Sequence, residues 1–531
     1  MPSDRLQQAP RSPGVVFSLR PPVPELSPLR TDVAGIIART ERGPFETDPN
    51  ARPALVRVEG LRGFERLFGA PTSDATGYAV RGYFENGGQL LWVARVLGKP
   101  AVSHAILDVS KALGVFGSTP PELELSRAAR RFQVYASSPG RWGDTLSLQL
   151  TLRRGATPSA QPMADLLVKR NGQPVEHLLG LAPARLVEQA AERSLFVRFE
   201  IKPEDEVPTG RLPPQRLLVF EAKLTGGSEE TPALEEYRRT AQALVEEPEP
   251  SLLLAPDAWG DLEEEAPLFY AEWAAAAHAT LDRLVLVDPA PRSTARTLLE
   301  LGDLLRLKFT DLNPRLACAA AVYHPHVEVP DPWGSALRPT RSVPPSGHMA
   351  GLISQLDRDR GAQHTPANAA LTGAVALSSI YDEAERAVLN QQGLNTLRCT
   401  PGRGVEVWGG RTLHLDPERR FLAHRRLIHR LVRAMRRAAE PLVFDSNTPL
   451  LRLSFVRALT SVLLEAHRAG GLAGSRPEES FQVRCDDTTN AGDAYETGHC
   501  IAEVELAPAT PMEFIQLTIA LSQDGSLQVL E

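Results

Sequence analysis

Several groups of residues in this 531-residue chain have the types and spacing from which chemistry could be built. His324-Pro325-His326, with Cys318 just upstream, offers three ligands of the kind that hold zinc. A strand would set Cys318 and His324 on one face, but Pro325 breaks the run and no fourth ligand lies close in sequence. A packed strand end is the stronger reading. Asp357-Arg358-Asp359-Arg360 has two carboxylates spaced as a catalytic pair, yet the adjacent arginines would neutralise them as ion pairs in a structural loop. Gly226-Gly227-Ser228, with Asp257 and Asp288 at the ends of predicted strands, has the layout of an active-site rim in an α/β enzyme. No nucleophile elbow, Walker lysine or GxGxxG accompanies it. Gly87-Gly88 leads into a strand without a following Gly-Lys-Ser/Thr, so it reads as a turn and not a phosphate cradle. These residues point to no catalytic group, no cofactor and no metal.

The densest chemistry is cationic. Arg419, Arg420, Arg425, Arg426, Arg430, Arg433, Arg436 and Arg437 fall in one segment that contains no acidic residue. Phe421, Leu422, Ile428, Leu431, Val432 and Met435 recur there at helical spacing, which predicts a helix over 419–439 with a basic face. Such a stripe repels itself unless acidic groups meet it. Nucleic acid is the weaker partner. The chain carries 58 Lys and Arg against 65 Asp and Glu, and no aromatics interleave the stripe.

The elements that must position these residues follow from periodicity. Residues 405–408 alternate as a strand and stop at Gly409-Gly410. The basic helix comes next. A second helix over 449–469 closes on Gly470-Gly471, and strands over 481–485 and 500–506 flank a turn-rich loop. Residues 391–514 thus read as a compact α+β unit. Residues 223–390 alternate helix and strand: helices over 232–245, 262–280 and 293–307, strands over 251–255, 284–288 and 317–323. Asp261 is placed to cap the second helix. Residues 31–98 read as a small α/β piece with strands over 33–38, 54–58 and 90–96. Residues 99–222 hold short alternating runs between Pro/Gly turns, the pattern of a small antiparallel β domain. Residues 1–30 are rich in proline and carry one candidate strand over 14–19, which composition alone would leave as a disordered leader. Residues 515–531 hold an alternating strand over 515–521, with Asp524-Gly525 as a hairpin turn into 527–530.

Composition narrows the setting. Cys318, Cys399, Cys485 and Cys500 form no CxxC and read as reduced thiols in a protein made in the cytoplasm. No run approaches the ~20 apolar residues of a membrane-spanning helix, and the first thirty residues lack a signal-peptide core. The 45 prolines cluster at arms and joints, as in modules joined by stiff connectors.

Motifs in a fixed order add a family to this reading. They are the strand ending in Gly409-Gly410-Arg411-Thr412; Arg425-Arg426 with Val443-Phe444-Asp445-Ser446-Asn447 beyond; Gly470-Gly471-Leu472-Ala473-Gly474; and Ala507-Pro508 with Pro511-Met512-Glu513-Phe514. Upstream stand Val343-Pro344-Pro345-Ser346-Gly347-His348-Met349-Ala350-Gly351, then Asp357, Arg360-Gly361 and Pro366-Ala367-Asn368. In this order they resemble the contractile tail sheath proteins of phage tails and related contractile injection systems. The resemblance implies an α+β and α/β multidomain fold: a core of mixed sheets flanked by helices, an inserted outward-facing β domain over 99–222, and extended arms at both ends. It implies a structural subunit without enzymatic activity, which polymerises helically around an inner tube and contracts to drive that tube through an envelope. The implied partners are copies of itself in stacked hexameric rings, the inner tube protein, baseplate and terminal cap proteins, and paralogous sheath subunits, with no nucleic acid and no membrane insertion. Synthesis and assembly would be cytoplasmic, with the particle a virion tail or a released body.

Two sets of site residues follow from the resemblance. Arg419, Arg420, Arg426, Arg430, Arg433 and Arg437 would face the tube. Val15, Val16, Phe17 and Leu19 of the first arm, with Ile515, Leu517, Ile519 and Leu521 of the last, would add as strands to neighbouring subunits. Two other readings stand beside it: a hydrolase or nucleotide-binding enzyme on the 223–390 core, and a non-contracting tail or baseplate protein with sheath-like domains.

Overall fold

In the computed structural model, the residues described are 30–48, 50–71, 74–108, 131–153, 163–182, 185–201, 217–335, 337–442, 447–490, 500–510, 518–521 and 527–530. One eight-stranded sheet organises the core. Its strands are β1 (Ala34–Ala38), β2 (Leu55–Glu59), β3 (Leu90–Arg95), β4 (Leu252–Leu254), β5 (Leu284–Val287), β6 (Ala320–His324), β7 (Leu394–Thr400) and β8 (Gly404–Trp408), in the order β2-β3-β1-β4-β5-β6-β7-β8. The six inner strands are parallel, and an antiparallel strand closes each edge. AGIIA and LVLV are apolar throughout, and AAVYH is so up to its closing Tyr-His, as strands covered on both faces require.

Successive residues point to opposite faces. Ile37, Leu253, Val285 and Val322 pack under helices α2 (Leu234–Glu246), α3 (Ala266–Thr280) and α4 (Ala295–Leu312). Ile36, Leu254, Leu286 and Tyr323 pack on the other side, under α1 (Thr76–Glu85) and α5 (Ser346–Asp359). Helices α1 and α5 approach closely because α5 presents Gly347 and Gly351 at i, i+4 spacing. A Cβ at either position would collide with the carbonyl of Ala79 or Tyr83.

The described residues within 99–222 are mainly antiparallel strands. A four-stranded sheet (Leu146–Arg153, Met163–Arg170, Gln173–Leu181, Leu217–Lys223) and a three-stranded one (His104–Asp108, Arg131–Ala136, Val197–Ile201) close on a core of Leu148, Leu166, Val134, Phe199 and Trp142. Helices α6 (Leu422–Ala439) and α7 (Pro449–Arg468) pack through Leu427, Leu431 and Leu463, together with the hairpin of Phe481–Arg484 and Glu503–Leu506. Thr518–Leu521 pairs with Leu527–Leu530, Ile519 opposite Val529, as the Asp-Gly turn predicts. Among the described residues no helix is long and apolar enough to cross a membrane.

The structure corrects four local expectations. The 262–280 helix is two helices, Ala258–Leu262 and α3, separated at Glu263, whose φ is 48°. Asp261 does not cap it, because its carboxylate is held by Arg39 at 2.6 Å and the Tyr237 hydroxyl at 2.7 Å. Cys318 lies in a 3-10 turn before β6, so it does not share a strand face with His324. The unit expected to begin at 391 contributes its first two strands to the central sheet. Val322 pairs with Leu394 and extends the sheet, so a single sheet spans the boundary at 391.

Candidate functional site

The arginine helix forms where the sequence places it, over Leu422–Ala439, with Arg436 and Arg437 in the last turn where cations suit the helix dipole. Its arginines do not share one solvent face. Helix α6 lies across the segments that lead into β1 and β4, where the carbonyls of Arg30, Glu249 and Pro250 lie outside the paired strands and need donors. Arg433 supplies them, donating to the carbonyls of Arg30 at 2.6 Å, Glu249 at 2.8 Å and Pro250 at 2.7 Å. Two turns earlier on the same face, Arg426 donates to the Ser251 carbonyl at 3.3 Å and hydroxyl at 3.1 Å, and to the Thr31 carbonyl. The five fixed donors of a guanidinium suit such a cluster of acceptors.

Two buried carboxylates complete this layer. Asp357, at the end of α5, pairs with Arg426, and Asp282 lies 3.3 Å from both Arg433 and Arg436. Burial holds the Asp357 carboxyl above its usual range although Arg426 acts against it, and burial brings Arg433 down to about 10. His429 lies between the arginines, fully buried. Burial first, then Arg425, Arg426 and Arg433, push its pKa well below the ordinary value, so it is neutral.

Arg426 and Arg433 are therefore withdrawn from the tube-facing set: they are 1% and 0% exposed, and their terminal nitrogens are engaged inside the chain. Arg419, Arg420, Arg430 and Arg437 keep partial exposure. Arg420 lies over the Phe421 ring at 4.8 Å, and Arg430 reaches Glu465 of α7 at 3.2 Å. The partners Asp282, Asp357 and Thr31 escaped the sequence reading. The available signal was the i, i+3, i+7 spacing of Arg426, His429 and Arg433, which puts all three on one face. Of the arm residues, Ile519 and Leu521 lie in the terminal hairpin. Val15, Val16, Phe17, Leu19, Ile515 and Leu517 lie outside the described residues.

The other candidates are engaged by internal contacts. Asp257 caps α1, accepting from the amides of Ala75 at 2.6 Å and Thr76 at 3.0 Å and from the Thr76 hydroxyl at 2.5 Å. Asp288 accepts from the Ser346 amide at 3.2 Å, at the start of α5. Burial pushes Asp257 up to about 6 and Asp288 to about 7, against the pull of those hydrogen bonds. A doubly wound enzyme would bind its ligand at this C-terminal edge of the parallel strands. Here the edge carboxylates tie helices from elsewhere in the chain to the sheet. His324 meets the Tyr381 hydroxyl at 2.6 Å, and His326 meets the Pro289 carbonyl at 3.1 Å. Among the described residues no group of three or more His, Cys, Asp or Glu is arranged to hold a metal. Asp359 pairs with the adjacent Arg358 at 3.5 Å, whereas Asp357 pairs with distant Arg426.

A two-edged mixed sheet, an outlying β domain and a C-terminal two-helix unit define the class: this is the fold of contractile-sheath subunits. The described architecture aligns with the helical sheath of the anti-feeding prophage in its contracted state at a TM-score of 0.53 and 20% identity, covering 97% of this chain and 100% of that one. At that identity the likeness is one of fold. Residues 317–413 match the central domain of phage tail sheath proteins. The tail sheath protein of Vibrio phage KVP40 is 28% identical over 190 residues, 35% of this chain and 27% of that protein. That of Burkholderia phage BcepMu is 30% identical over 139 residues, 25% of this chain and 28% of that protein. The matched stretch thus spans little more than a quarter of each of these relatives. The chain therefore carries the central domain of phage tail sheath proteins over residues 317–413 and shares their fold over most of its length.

Proposed function

We propose that this chain is the structural subunit of a contractile sheath, polymerising helically around an inner tube and driving it forward by conformational free energy stored at assembly. The observation that carries the reading is the full-length likeness of fold to a helical sheath in its contracted state. Three features of the chain support it. The core is rigid, with its helices tied to the sheet by buried carboxylates and arginines. The C-terminal strands Thr518–Leu521 and Leu527–Leu530 pair only with each other among the described residues, which leaves their outer edges for addition to a neighbour. Arg419, Arg420, Arg430 and Arg437 would make tube contacts weak enough singly to release, yet summed over a lattice. The outlying β domain would face outward, and the arm around 12–20 would complete a sheet in the next subunit.

Enzymatic function has no comparable support, since the strand-end Asp257 and Asp288 that it would use are engaged as caps. Negative-stain electron microscopy of the protein alone and with its cognate tube protein tests the proposal. Hollow ridged cylinders, wide alone and narrower around a tube, are expected. Dispersed particles under both conditions would remove it, and short rings that never extend would select the non-contracting reading. Deleting residues 1–20 is expected to leave a folded protein that does not assemble.

A further inference from the structure

Beside the arginine helix lies a cavity of about 280 Å³, and of its lining residues the sheath reading uses only Arg419. Arg425 of α6, Arg419 just before it, and Arg315 of the Pro314–Ala319 turn all line it, with His278 at the end of α3 and Cys318. Arg425 is only 8% exposed, and among the described residues its one side-chain partner is His278 Nδ1 at 3.2 Å. Its Nε, also buried, has no hydrogen-bond partner among them. None of the three arginines has a carboxylate within ion-pair distance among the described residues. Glu418, on the cavity lining, is exposed and pairs with none of them. The contrast with Arg426 and Arg433 on the same helix is one of charge: their Nε atoms also lack hydrogen-bond partners, but each faces a buried carboxylate, Asp357 or Asp282.

Three guanidinium groups around one cavity, one of them buried and part-unsatisfied, oppose folding unless negative charge joins them. The field they make is visible in His278, whose pKa is brought down to about 4 by burial first and then by Arg425, Arg419 and Arg315. Guanidinium donors in this number match the oxygens of a phosphate group or a carboxylate. The volume admits either one with its waters.

We propose that this cavity is an oxyanion-binding site, with Arg425 as its buried anchor and Arg315 and Arg419 closing over the ligand. The oxygens come either from free phosphate or from an acidic side chain of a second copy of the chain. The site shares Arg419 with the proposed tube contacts, whereas Arg425 and Arg315 lie outside that set.

Calorimetric and thermal-shift titration of the full chain with inorganic phosphate, against chloride at equal ionic strength, tests it. Saturable binding is expected, weakened at least tenfold by Arg425→Met and by Arg315→Met and unchanged by Arg430→Met. Arg315 is exposed, so its variant keeps the test alive if Arg425→Met does not fold. No saturable phosphate effect, or equal binding by Arg315→Met and the unaltered chain, overturns the site. A density map of the assembled particle identifies the source: discrete ion density above Arg425 marks free phosphate, and a neighbouring copy's Asp or Glu marks the carboxylate. Water alone over Arg425 in that map overturns the proposal as well.

Discussion

Arg426 and Asp357 form an ion pair with side chains only 2% and 3% exposed, joining the arginine helix α6 to the end of α5. Neither charge has water to fall back on. Removing one partner strands the other, which typically costs ~3–5 kcal/mol, whereas replacing both with apolar groups can be neutral. Arg426→Met is expected to destabilise the chain by that order in urea unfolding, and Arg426→Met with Asp357→Leu to recover much of the loss. Equal destabilisation by the single and double variants would show that the carbonyl contacts of Arg426, not the ion pair, dominate.

The two populations of arginine on and beside α6 separate folding from assembly. Arg433→Glu places a carboxylate against the carbonyls of Arg30, Glu249 and Pro250 and beside Asp282, and should abolish soluble expression. Arg420→Glu with Arg437→Glu should leave thermal stability within about 1 kcal/mol of the unaltered chain, as surface changes usually do. The same pair should reduce co-assembly with the tube protein, measured by co-sedimentation. Unchanged tube binding would relocate the tube interface away from α6.

Asp288 makes stability depend on pH. Its carboxyl is raised to about 7 by burial, so the folded chain holds this proton more tightly than the unfolded chain does. The contribution is complete below the unfolded carboxylate range and is lost as pH rises through about 7. Each tenfold gain in proton affinity on folding is worth at most ~1.4 kcal/mol of that contribution. Asp257, raised to about 6, acts in the same direction. Asp288→Asn keeps an acceptor for the Ser346 amide and cannot ionise. Melting curves from pH 4 to 8 should therefore show a smaller decline in the variant and a higher melting temperature than the unaltered chain at pH 8. A decline of undiminished slope would remove Asp288 from the account.

Cys485 and Cys500 hold their sulfurs 3.8 Å apart at the two ends of the loop between the C-terminal strands, and both are free thiols. A mild thiol oxidant that removes two electrons and two protons from the pair should close a disulfide. Closing a loop of this length stabilises by ~3 kcal/mol in the chain-entropy model. Intact mass should fall by two hydrogens, the melting temperature should rise, and Cys485→Ser should abolish both. Retention of two free thiols after oxidation would show that the strand ends hold the side chains apart.

Much of the scaffold was legible because it is written in short-range periodicity. The apolar runs of β1, β5 and β6, the span of α6 to within three residues at its start, and the Asp524-Gly525 hairpin are all decided by neighbours along the chain. The hairpin of Val327–Ser335 and Arg338–Val343 was not legible. Pro330, Pro332 and Pro339 interrupt its alternation: Pro339 lies on an edge strand, and Pro330 and Pro332 lie beyond the short pairing of Val327 and Glu328 with Ala376–Leu377, where the register with Arg338–Val343 shifts. The break at Glu263 was hidden for the opposite reason, since the flanking residues are good helix formers on both sides.

The sequence by itself determined that eight arginines crowd into one helical segment, that strand and helix alternate around a parallel core, and which family the ordered motifs resemble. Only the tertiary structure decided which of those arginines are buried and which lie at the surface. Helical spacing records the face a residue occupies but not what lies opposite that face. Opposite Arg426 and Arg433 lie the carbonyls of Thr31, Ser251, Arg30, Glu249 and Pro250, brought there by strands far apart in the chain. A buried carbonyl without a donor costs more than a buried arginine that satisfies several of them, and that balance turns two of the most basic positions inward.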